Sequence, residues 1–282
     1  MIVVTGAPHE TFPEALRVEN AIAKRLGHNA LLIDGDVDNN AITRALSDAV
    51  DINRLPAPPS SKRLLIADME STIIEQEMLD ELAEHVGART KVEAITAAAM
   101  RGELDFEAAL TERVGLLAGL PESVLDEVAD TRLTYMSGAR KLVAAMKSHG
   151  AYCALVSGGF THFTSRVAAD LGFDTHRANT LEIADGKLTG RVIPPILGRD
   201  AKLRALMDLT AELAINSSDA IAVGDGSNDL AMLHAAGVGV AFRAKPAVRD
   251  AMAAHHHGAV IDHCDLTGLL YLQGISGIRT SA

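Results

Sequence analysis

The sequence contains few aromatic residues and almost no cysteine. It has no tryptophan and only 3% aromatic residues, which argues against a surface on which nucleic-acid bases stack. Its net charge of −11 points the same way, because phosphate backbones are bound by clustered lysine and arginine. The two cysteines, Cys153 and Cys264, are too few for a disulfide framework and lack the spacing of a zinc site. We therefore expect no nucleic-acid partner.

Long apolar runs are also missing from the sequence. The longest ones fall short of the ~20 residues that a membrane-spanning helix needs, so no membrane partner is expected. The N-terminus lacks the basic segment that opens a signal peptide, and we expect a cytoplasmic protein. At 282 residues the chain is long enough to bury a full core and to hold more than one domain.

A proline-rich stretch, Leu55–Lys62, divides the chain into two predicted parts. Proline prevents regular hydrogen bonding and stiffens the backbone toward an extended form. Residues 1–60 are predicted to form a small N-terminal α/β segment that ends in this linker. Their apolar pattern predicts a strand over Met1–Thr5 and a helix over Pro13–Arg25.

Residues 61–282 alternate between apolar runs and helical periodicity. This alternation predicts an α/β fold with a doubly wound, mostly parallel, Rossmann-like sheet covered by helices on both faces. Residues 76–134 interrupt the alternation with helices alone and are predicted to form a cap over the carboxyl end of the first core strand. A hairpin is expected at residues 178–193, where Asp185-Gly186 suits a tight turn.

The stretch Leu64–Thr72 combines a predicted strand with polar residues that can take part in chemistry. Four apolar residues predict a buried parallel strand. Asp68 and Glu70 follow at its carboxyl end, where open α/β sheets place their ligand sites. Taken alone, the pattern favours a polar turn after a strand over a functional site.

Three more polar motifs follow in order along the core. Ser157-Gly158-Gly159 comes directly after a predicted strand, Lys202 opens a helix, and Gly224–Asp229 follows another short apolar run. Each is weak evidence by itself: a Ser-Gly-Gly sequence is usually a turn, and the last motif also resembles part of a calcium loop. Because parallel strands bring their carboxyl ends to one sheet edge, all of them can meet in a single crevice.

Such a crevice suits phosphoryl transfer. The Asp68 carboxylate can attack phosphorus and form an aspartyl-phosphate. Mg²⁺ would offset the repulsion between the two anions, with Asp225 and Asp229 completing an acidic metal site. Lys202 adds a point cation, and Glu70 can protonate the leaving oxygen and then deprotonate the attacking water.

These residues resemble the four motifs of the haloacid dehalogenase superfamily, and within it the phosphoserine phosphatase family. The closer likeness is carried by residues 68–83, 100–114 and 224–233, and the whole resemblance runs from about Leu64 to Phe242. It implies a core of the haloacid dehalogenase type with a helical cap. It also implies Mg²⁺-dependent hydrolysis of O-phospho-L-serine to L-serine and phosphate, a step of serine biosynthesis.

The resemblance also implies a set of site residues. Asp68 would be the nucleophile and a metal ligand, and Glu70 the acid/base and a metal ligand through its backbone carbonyl. The other metal residues would be Asp225 and Asp229. The residues expected around the phosphate are Ser157, Gly158, Lys202 and Asn228.

In the cap, the resemblance places Glu77 on the substrate ammonium and Arg113 on its carboxylate, with Met100 and Phe106 closing over both. A zwitterionic amino acid needs one fixed anion and one fixed cation, and arginine grips a carboxylate with two bonds. Solvated helix faces are the alternative interpretation of Glu77 and Arg113.

Glu70 departs from the family pattern, in which this position is Asp. The additional methylene extends the carboxylate by roughly 1.3–1.5 Å, and misplacing a catalytic group by about 1 Å can reduce the rate ~100-fold. The proton chemistry is unchanged, so we expect activity with a backbone adjusted to the longer side chain.

Two other functions remain open at the level of the sequence. One is a phosphatase or phosphotransferase that acts on another small phosphomonoester. The other is a non-catalytic binding or regulatory module, against which the intact nucleophile, acidic pair and lysine argue. The sequence is compatible with a homodimer and does not determine the oligomeric state.

Overall fold

The computed structural model describes residues 1–6, 17–18, 21–46, 49–100, 103–198 and 200–276. The strands are β1 Ile2–Gly6, β2 Arg17–Val18, β3 Ala21–Gly27, β4 Ala30–Asp34, β5 Val50–Arg54, β6 Leu64–Ala67, β7 Tyr152–Phe160, β8 Thr175–Ala184, β9 Lys187–Ile193, β10 Ala220–Gly224, β11 Val238–Phe242 and β12 Gly258–Ile261. The helices are α1 Asn39–Ala45, α2 Met78–His85, α3 Arg89–Met100, α4 Phe106–Gly115, α5 Ser123–Thr131, α6 Ala139–Ser148, α7 Thr161–Leu171, α8 Ala201–Glu212, α9 Leu230–Ala235, α10 Pro246–Ala254 and α11 Gly268–Tyr271, with a 3₁₀ turn at Ser217–Asp219. Within the described residues, none of these helices has the length and apolar character needed to cross a bilayer.

The core is a seven-stranded sheet in the order β12-β11-β10-β6-β7-β8-β9. All neighbouring strands pair in parallel except the β8–β9 hairpin. Successive residues of β6 enter different apolar clusters, Leu65 on one face and Ile66 on the other, because helices cover both faces of the sheet. The predicted doubly wound, mostly parallel sheet is confirmed.

Helices α2 to α5 form the cap between β6 and α6, as the sequence predicts. Two side-chain contacts join α5 of the cap to α7 of the core: His162 Nε2 lies 3.0 Å from Asp126, and Arg166 forms an ion pair with Asp130 at 2.6 Å. The hairpin contacts the other side of the cap, where the Leu188 N–H donates to the backbone carbonyl of Leu120 at 2.9 Å. The cap therefore contacts the core at two places.

The N-terminal segment is a five-stranded antiparallel sheet in the order β2-β3-β4-β1-β5. The predicted helix over Pro13–Arg25 is wrong for residues 21–25, which belong to β3, and for Arg17–Val18, which form β2. Residues 13–16 and 19–20 of that prediction lie outside the described residues. Antiparallel pairing with β4 overrides the helix preference of Ala, Lys, Arg and Leu in β3.

Two buried polar side chains of β5 join this sheet to the core. The Asn53 amide donates to the Val260 carbonyl at 2.9 Å and accepts from the Val260 N–H at 2.8 Å. The Asp51 carboxylate accepts from the N–H groups of residues 262–264. The division into separate domains near residue 60 stays a prediction.

Candidate active site

Asp68 lies at the middle of the core sheet, directly after β6. Every residue of β6 is buried, and the Asp68 N–H donates to the Val223 carbonyl of β10 at 3.0 Å, so the backbone continues the strand pairing up to the carboxylate. The residue is 5% exposed. Its Oδ1 accepts the Met69 N–H at 2.8 Å, which fixes the rotation of the carboxylate.

The loop after β10 brings Asp225 and Asp229 beside Asp68. One carboxylate oxygen from each of the three acids lies within 4.8 Å of the others. Asp229 is completely buried and accepts the Gly226 N–H at 3.0 Å. Glycine is required at position 224, since a Cβ there would lie 2.3 Å from Cγ of Asp229. The predicted acidic cluster is therefore present in space.

Lys202, the second residue of α8, is the cation of this cluster. Its Nζ lies 2.7 Å from Asp68 Oδ1 and 2.6 Å from Asp229 Oδ1. Burial lowers the pKa of Lys202, but the charges of Asp229 and Asp68 outweigh that effect and leave the pKa above its ordinary value. The lysine is thus held charged between two carboxylates.

Three ionised carboxylates facing one ammonium leave two negative charges uncompensated in a buried site. Burial, followed by the charge of Asp229, raises the pKa of Asp68 to about 8. Burial also raises the pKa of Asp225 to about 6, although Lys245 at 3.7 Å works in the opposite direction. A divalent cation among these oxygens would offset the excess charge, and carboxylate oxygens are the ligands that hard cations prefer. The donor set therefore fits such an ion.

The Ser157-Gly158-Gly159 loop and Lys202 face the same small cavity, which Asn228 also lines. The structure extends β7 through this loop to Phe160, whereas the sequence pattern ends the strand at Val156. Pairing with β8 shifts between Val156 and Phe160, so the intervening residues bulge from the ladder. Ser157 is 1% exposed and its Oγ accepts the Gly159 N–H at 2.9 Å. Small residues and a buried hydroxyl at this point can surround an anion.

Glu70 lies beside this loop rather than on the lysine. Its Oε1 accepts the Met78 N–H at the start of α2 at 2.9 Å. Ser71, which follows, has a φ of 55°, a left-handed conformation that turns the chain toward α2. Burial, then the nearby charge of Glu77, raises the pKa of Glu70 well above its ordinary value. A carboxyl group in such surroundings is suited to donate a proton near neutral pH.

The cap contributes Phe106 to the cavity. Its ring carbon Cζ lies 3.4 Å from the position that a Cβ on Gly158 would occupy. Phe106 begins α4, whose first turn is capped by the Asp105 side chain at 2.7 Å from the Ala108 N–H. Phe106 therefore lies against Gly158 of the Ser157-Gly158-Gly159 loop, and its closing over the substrate stays a prediction.

The predicted substrate pair Glu77 and Arg113 is not in contact in the structure. Glu77 is exposed and accepts the Ser71 hydroxyl at 2.8 Å. Arg113 instead lies inside the cap, where it donates to the Ala109 carbonyl at 3.2 Å and to Thr96 Oγ1 at 3.4 Å. Among the described residues, Glu77 and Arg113 share no hydrogen bond or ion pair. Met100 ends α3, and its side chain is outside the described part of the chain.

Three neighbours of the site were not identified from the sequence. Leu197 and Gly198 line the cavity but belong to a loop without a polar motif. Asn179 bonds the backbone of both cavity loops. Asn179 lies among polar residues of β8, between Arg177 and Thr180, so its sequence context does not indicate that its amide is buried.

Comparison with known sequences identifies relatives of the core. The profile of the haloacid dehalogenase-like hydrolases matches residues 65–234. The phosphoserine phosphatase of Streptomyces coelicolor is 48% identical over 217 residues, which cover 77% of this chain and 51% of that protein. The chain thus spans about half the length of the first curated relatives that it matches.

Solved structures extend the similarity to the fold. A haloacid dehalogenase family hydrolase from Salmonella enterica serovar Typhi has a TM-score of 0.81 at 34% identity, over 96% of this chain and 98% of that one. This coverage includes both sheets. A phosphoserine phosphatase solved as a phospho-aspartyl intermediate analogue has a TM-score of 0.68 at 37% identity, over 75% of this chain and 99% of that one.

Proposed function

The chain belongs to the haloacid dehalogenase-like hydrolase family, and we propose that it is a phosphatase that hydrolyses O-phospho-L-serine to L-serine and phosphate. The observation that carries the proposal is the contact of Asp68 with Lys202 at 2.7 Å, since Lys202 lines the same cavity as Ser157. A carboxylate held by a buried lysine is a nucleophile whose neighbour offsets the charge of an incoming phosphate.

In the first step, an Asp68 carboxylate oxygen forms a bond to phosphorus and the bond to the serine oxygen breaks. The departing oxygen takes a proton from Glu70. In the second step, water attacks the aspartyl-phosphate while Glu70 accepts a proton from it, which releases phosphate and restores Asp68. Lys202 stays charged in both steps and stabilises the negative charge on the transferring group.

Mg²⁺ is the proposed cofactor. Asp68, Asp225 and Asp229, with the backbone carbonyl of Glu70, would hold the ion, and their oxygens suit it. When bound, the ion offsets the negative charge of the carboxylates and of the phosphate. The phosphate oxygens are assigned to Ser157, Gly158 and Asn228, together with Lys202.

Substrate entry requires movement of the cap. The cavity bounded by Phe106 and Gly158 has a volume of about 10 Å³, close to the space that one water occupies. We propose residues 76–134 as a cap unit on a 61–282 core, with Glu77 and Arg113 binding the amino-acid part of the substrate and Met100 contributing beside Phe106. A closed cap would exclude water while Asp68 attacks.

A different small phosphomonoester is the second candidate substrate. The specific observation that favours it is the position of Arg113, whose guanidinium bonds Thr96 and Ala109 within the cap. A carboxylate-binding role for Arg113 would need its side chain to turn toward the cavity. A phosphotransferase acting on an alcohol acceptor uses the same first step.

Phosphate release from a panel of substrates tests the proposal. The panel is phosphoserine, phosphothreonine, phosphoethanolamine and glycerol phosphate, each with and without Mg²⁺. We expect phosphoserine to have the highest kcat/KM, chelation to stop turnover, and Asp68→Asn to abolish it. The matched control is Asp51→Asn, a buried aspartate that bonds the backbone of the neighbouring sheet, which should stay active.

Two results would contradict the proposal in different ways. Equal or better turnover of phosphoethanolamine or glycerol phosphate would reject phosphoserine as the substrate while leaving a phosphatase. No release from any member of the panel, with phosphoserine still bound, would indicate a binding module. The cytoplasmic location stays part of the proposal, and a homodimer is a prediction that sedimentation velocity can test.

A further inference from the structure

Asn179 of β8 joins two loops that line the cavity. Its amide nitrogen donates to the Gly158 carbonyl at 2.8 Å, and its Oδ1 accepts the Leu197 N–H at 2.7 Å. The side chain is completely buried. Because one partner is a carbonyl and the other an N–H, the orientation of the amide is fixed by its neighbours.

The first bond holds one peptide plane of the Ser157-Gly158-Gly159 loop. The Gly158 carbonyl belongs to the same peptide as the Gly159 N–H, and that N–H donates to Ser157 Oγ at 2.9 Å. The Ser157 oxygen therefore accepts one hydrogen bond from Gly159, and the Ser157 hydroxyl proton can be donated to a different acceptor. The cavity that Ser157 lines is where an acceptor would lie.

The strand pairing explains why a side chain is needed here. Phe160 of β7 pairs with Asn179, but the register between β7 and β8 shifts after Val156. The loop at residues 157–159 therefore leaves the regular ladder at the point where it lines the cavity. The Asn179 amide supplies to Gly158 the hydrogen bond that a neighbouring strand would otherwise supply.

The second bond holds the other loop that lines the cavity. Leu197 and Gly198 line the cavity, and the Gly198 carbonyl accepts the Ala201 N–H at 3.0 Å, just before Lys202 in α8. One buried amide thus fixes the wall that carries the Ser157 hydroxyl and the wall that leads to the lysine.

We propose that Asn179 is a positioning residue that sets the spacing of the two loops and the direction of the Ser157 hydroxyl, and so determines affinity for the phosphoryl group. The inference rests on the proposed function, since it assigns the phosphoryl group to this cavity. Asn179 itself does not line the cavity, and it acts through Gly158 and Leu197.

The chain contains a matched control for this proposal. Asn53, on β5, makes the same pair of bonds to a backbone carbonyl and a backbone N–H, at 2.9 and 2.8 Å. It is 5% exposed and contacts β12, at the opposite edge of the core sheet from β8 and β9. Asn53→Ala therefore removes equivalent bonds without touching the cavity.

The experiment measures competitive inhibition by inorganic phosphate, together with kcat and KM for phosphoserine, in the full chain with Mg²⁺. Both Asn179→Ala and Asn53→Ala should lower the thermal midpoint, because each leaves two buried backbone groups without a partner. Only Asn179→Ala should weaken phosphate inhibition, by about tenfold or more, and reduce kcat/KM by roughly 10–100-fold, as expected for a shift of about 1 Å. Asn53→Ala should stay within twofold of the wild type on both measures.

Phosphate inhibition that is equal in the two alanine variants would overturn the inference and leave the proposed function intact. A wild type that neither hydrolyses phosphoserine nor binds phosphate would overturn both. If Asn179→Ala does not fold, the same comparison is made with Asn179→Ser and Asn53→Ser, which keep a hydroxyl in the space. A loss of phosphate affinity confined to the Asn179 variant supports the inference.

Discussion

The carboxylate of Glu70 packs directly against Gly159. A Cβ on Gly159 would lie 2.8 Å from Oε2 and 2.9 Å from Oε1 of Glu70, closer than real Cβ contacts occur. The same carboxylate accepts the Met78 N–H at 2.9 Å. The longer acid of this chain is accommodated because the residue facing it has no side chain.

The substitution Gly159→Ala should therefore impair catalysis through Glu70. The added methyl group displaces the carboxylate, and we expect kcat to fall roughly 10–100-fold. Combining it with Glu70→Asp should recover part of the loss, because the shorter acid withdraws from the methyl group. Steady-state kinetics of the two single variants and the double variant measure this coupling.

Gly115→Ala is the control for this comparison of the single and double variants. A Cβ at Gly115 meets no atom within 4 Å, so this variant should turn over at the wild-type rate. Independent, additive losses in the Gly159→Ala and Glu70→Asp variants would show that Gly159 does not constrain Glu70.

The charge-neutral substitution Glu70→Gln should reduce kcat by about 10²–10⁴-fold, the usual contribution of a general acid or base. Glu70→Asp keeps the ionisable group and should retain much of the activity. Comparison of kcat for the two variants separates the effect of removing the ionisable proton of residue 70 from the effect of shortening its side chain. Full wild-type turnover by Glu70→Gln would remove Glu70 from the proton-transfer role.

Lys202→Met should destabilise the folded chain. It leaves Asp68 and Asp229 buried without the ammonium that lies 2.7 and 2.6 Å from them, and breaking such a buried pair costs about 3–5 kcal/mol. With the lysine gone, the pKa of Asp68 rises further above that of the unfolded chain, because Lys202 lowers it in the intact site. The protonated form then favours folding, so the loss should be smaller at mildly acidic pH than at neutral pH.

Urea unfolding at the two pH values measures this effect. Lys245→Met is the control, because Lys245 is about half exposed and lies 3.7 Å from the buried Asp225. Solvent screens the charge of Lys245, so its loss should lower the unfolding free energy by less than the loss of Lys202. An equal loss of unfolding free energy in both variants would contradict the account of Lys202.

Arg113→Ala tests the substrate assignment in the cap. If Arg113 turns from Thr96 to bind the substrate carboxylate, the variant should raise KM for phosphoserine about tenfold or more, since bonds to charged groups contribute roughly 1.5–3 kcal/mol. It should leave KM for phosphoethanolamine, which has no carboxylate, unchanged. Arg132→Ala, which alters another cap arginine paired with Glu81 and Glu84, should change neither value. Equal effects on both substrates would assign Arg113 a structural role.

The catalytic core could be predicted because its signals are local. Asp68, Ser157 and Asp225 each follow an apolar run, and parallel strands necessarily bring such positions to one edge. Lys202 was a weaker prediction, since a single lysine on a helix is usually exposed on the surface. Its two short contacts with aspartates arise from the sheet order alone.

The N-terminal sheet was harder to predict because its polar residues face inward. In β5, Val50 and Ile52 alternate with Asp51 and Asn53, and the polar pair is the better buried one. Asp51 and Asn53 bond backbone groups of residues more than 200 positions away, so no local pattern marks the strand. Asn179 escaped prediction because its partners, Gly158 and Leu197, lie 21 and 18 positions away in other elements.

Trapping the covalent intermediate tests the central claim most directly. The wild-type chain is mixed with phosphoserine and Mg²⁺, quenched rapidly in acid, digested and analysed by mass spectrometry. The account predicts one added phosphoryl group on the peptide that carries Asp68, and none in the Asp68→Asn variant, which should also release no phosphate. Phosphate release by Asp68→Asn at the wild-type rate, or a phosphoryl group on a different residue of the wild type, would contradict it.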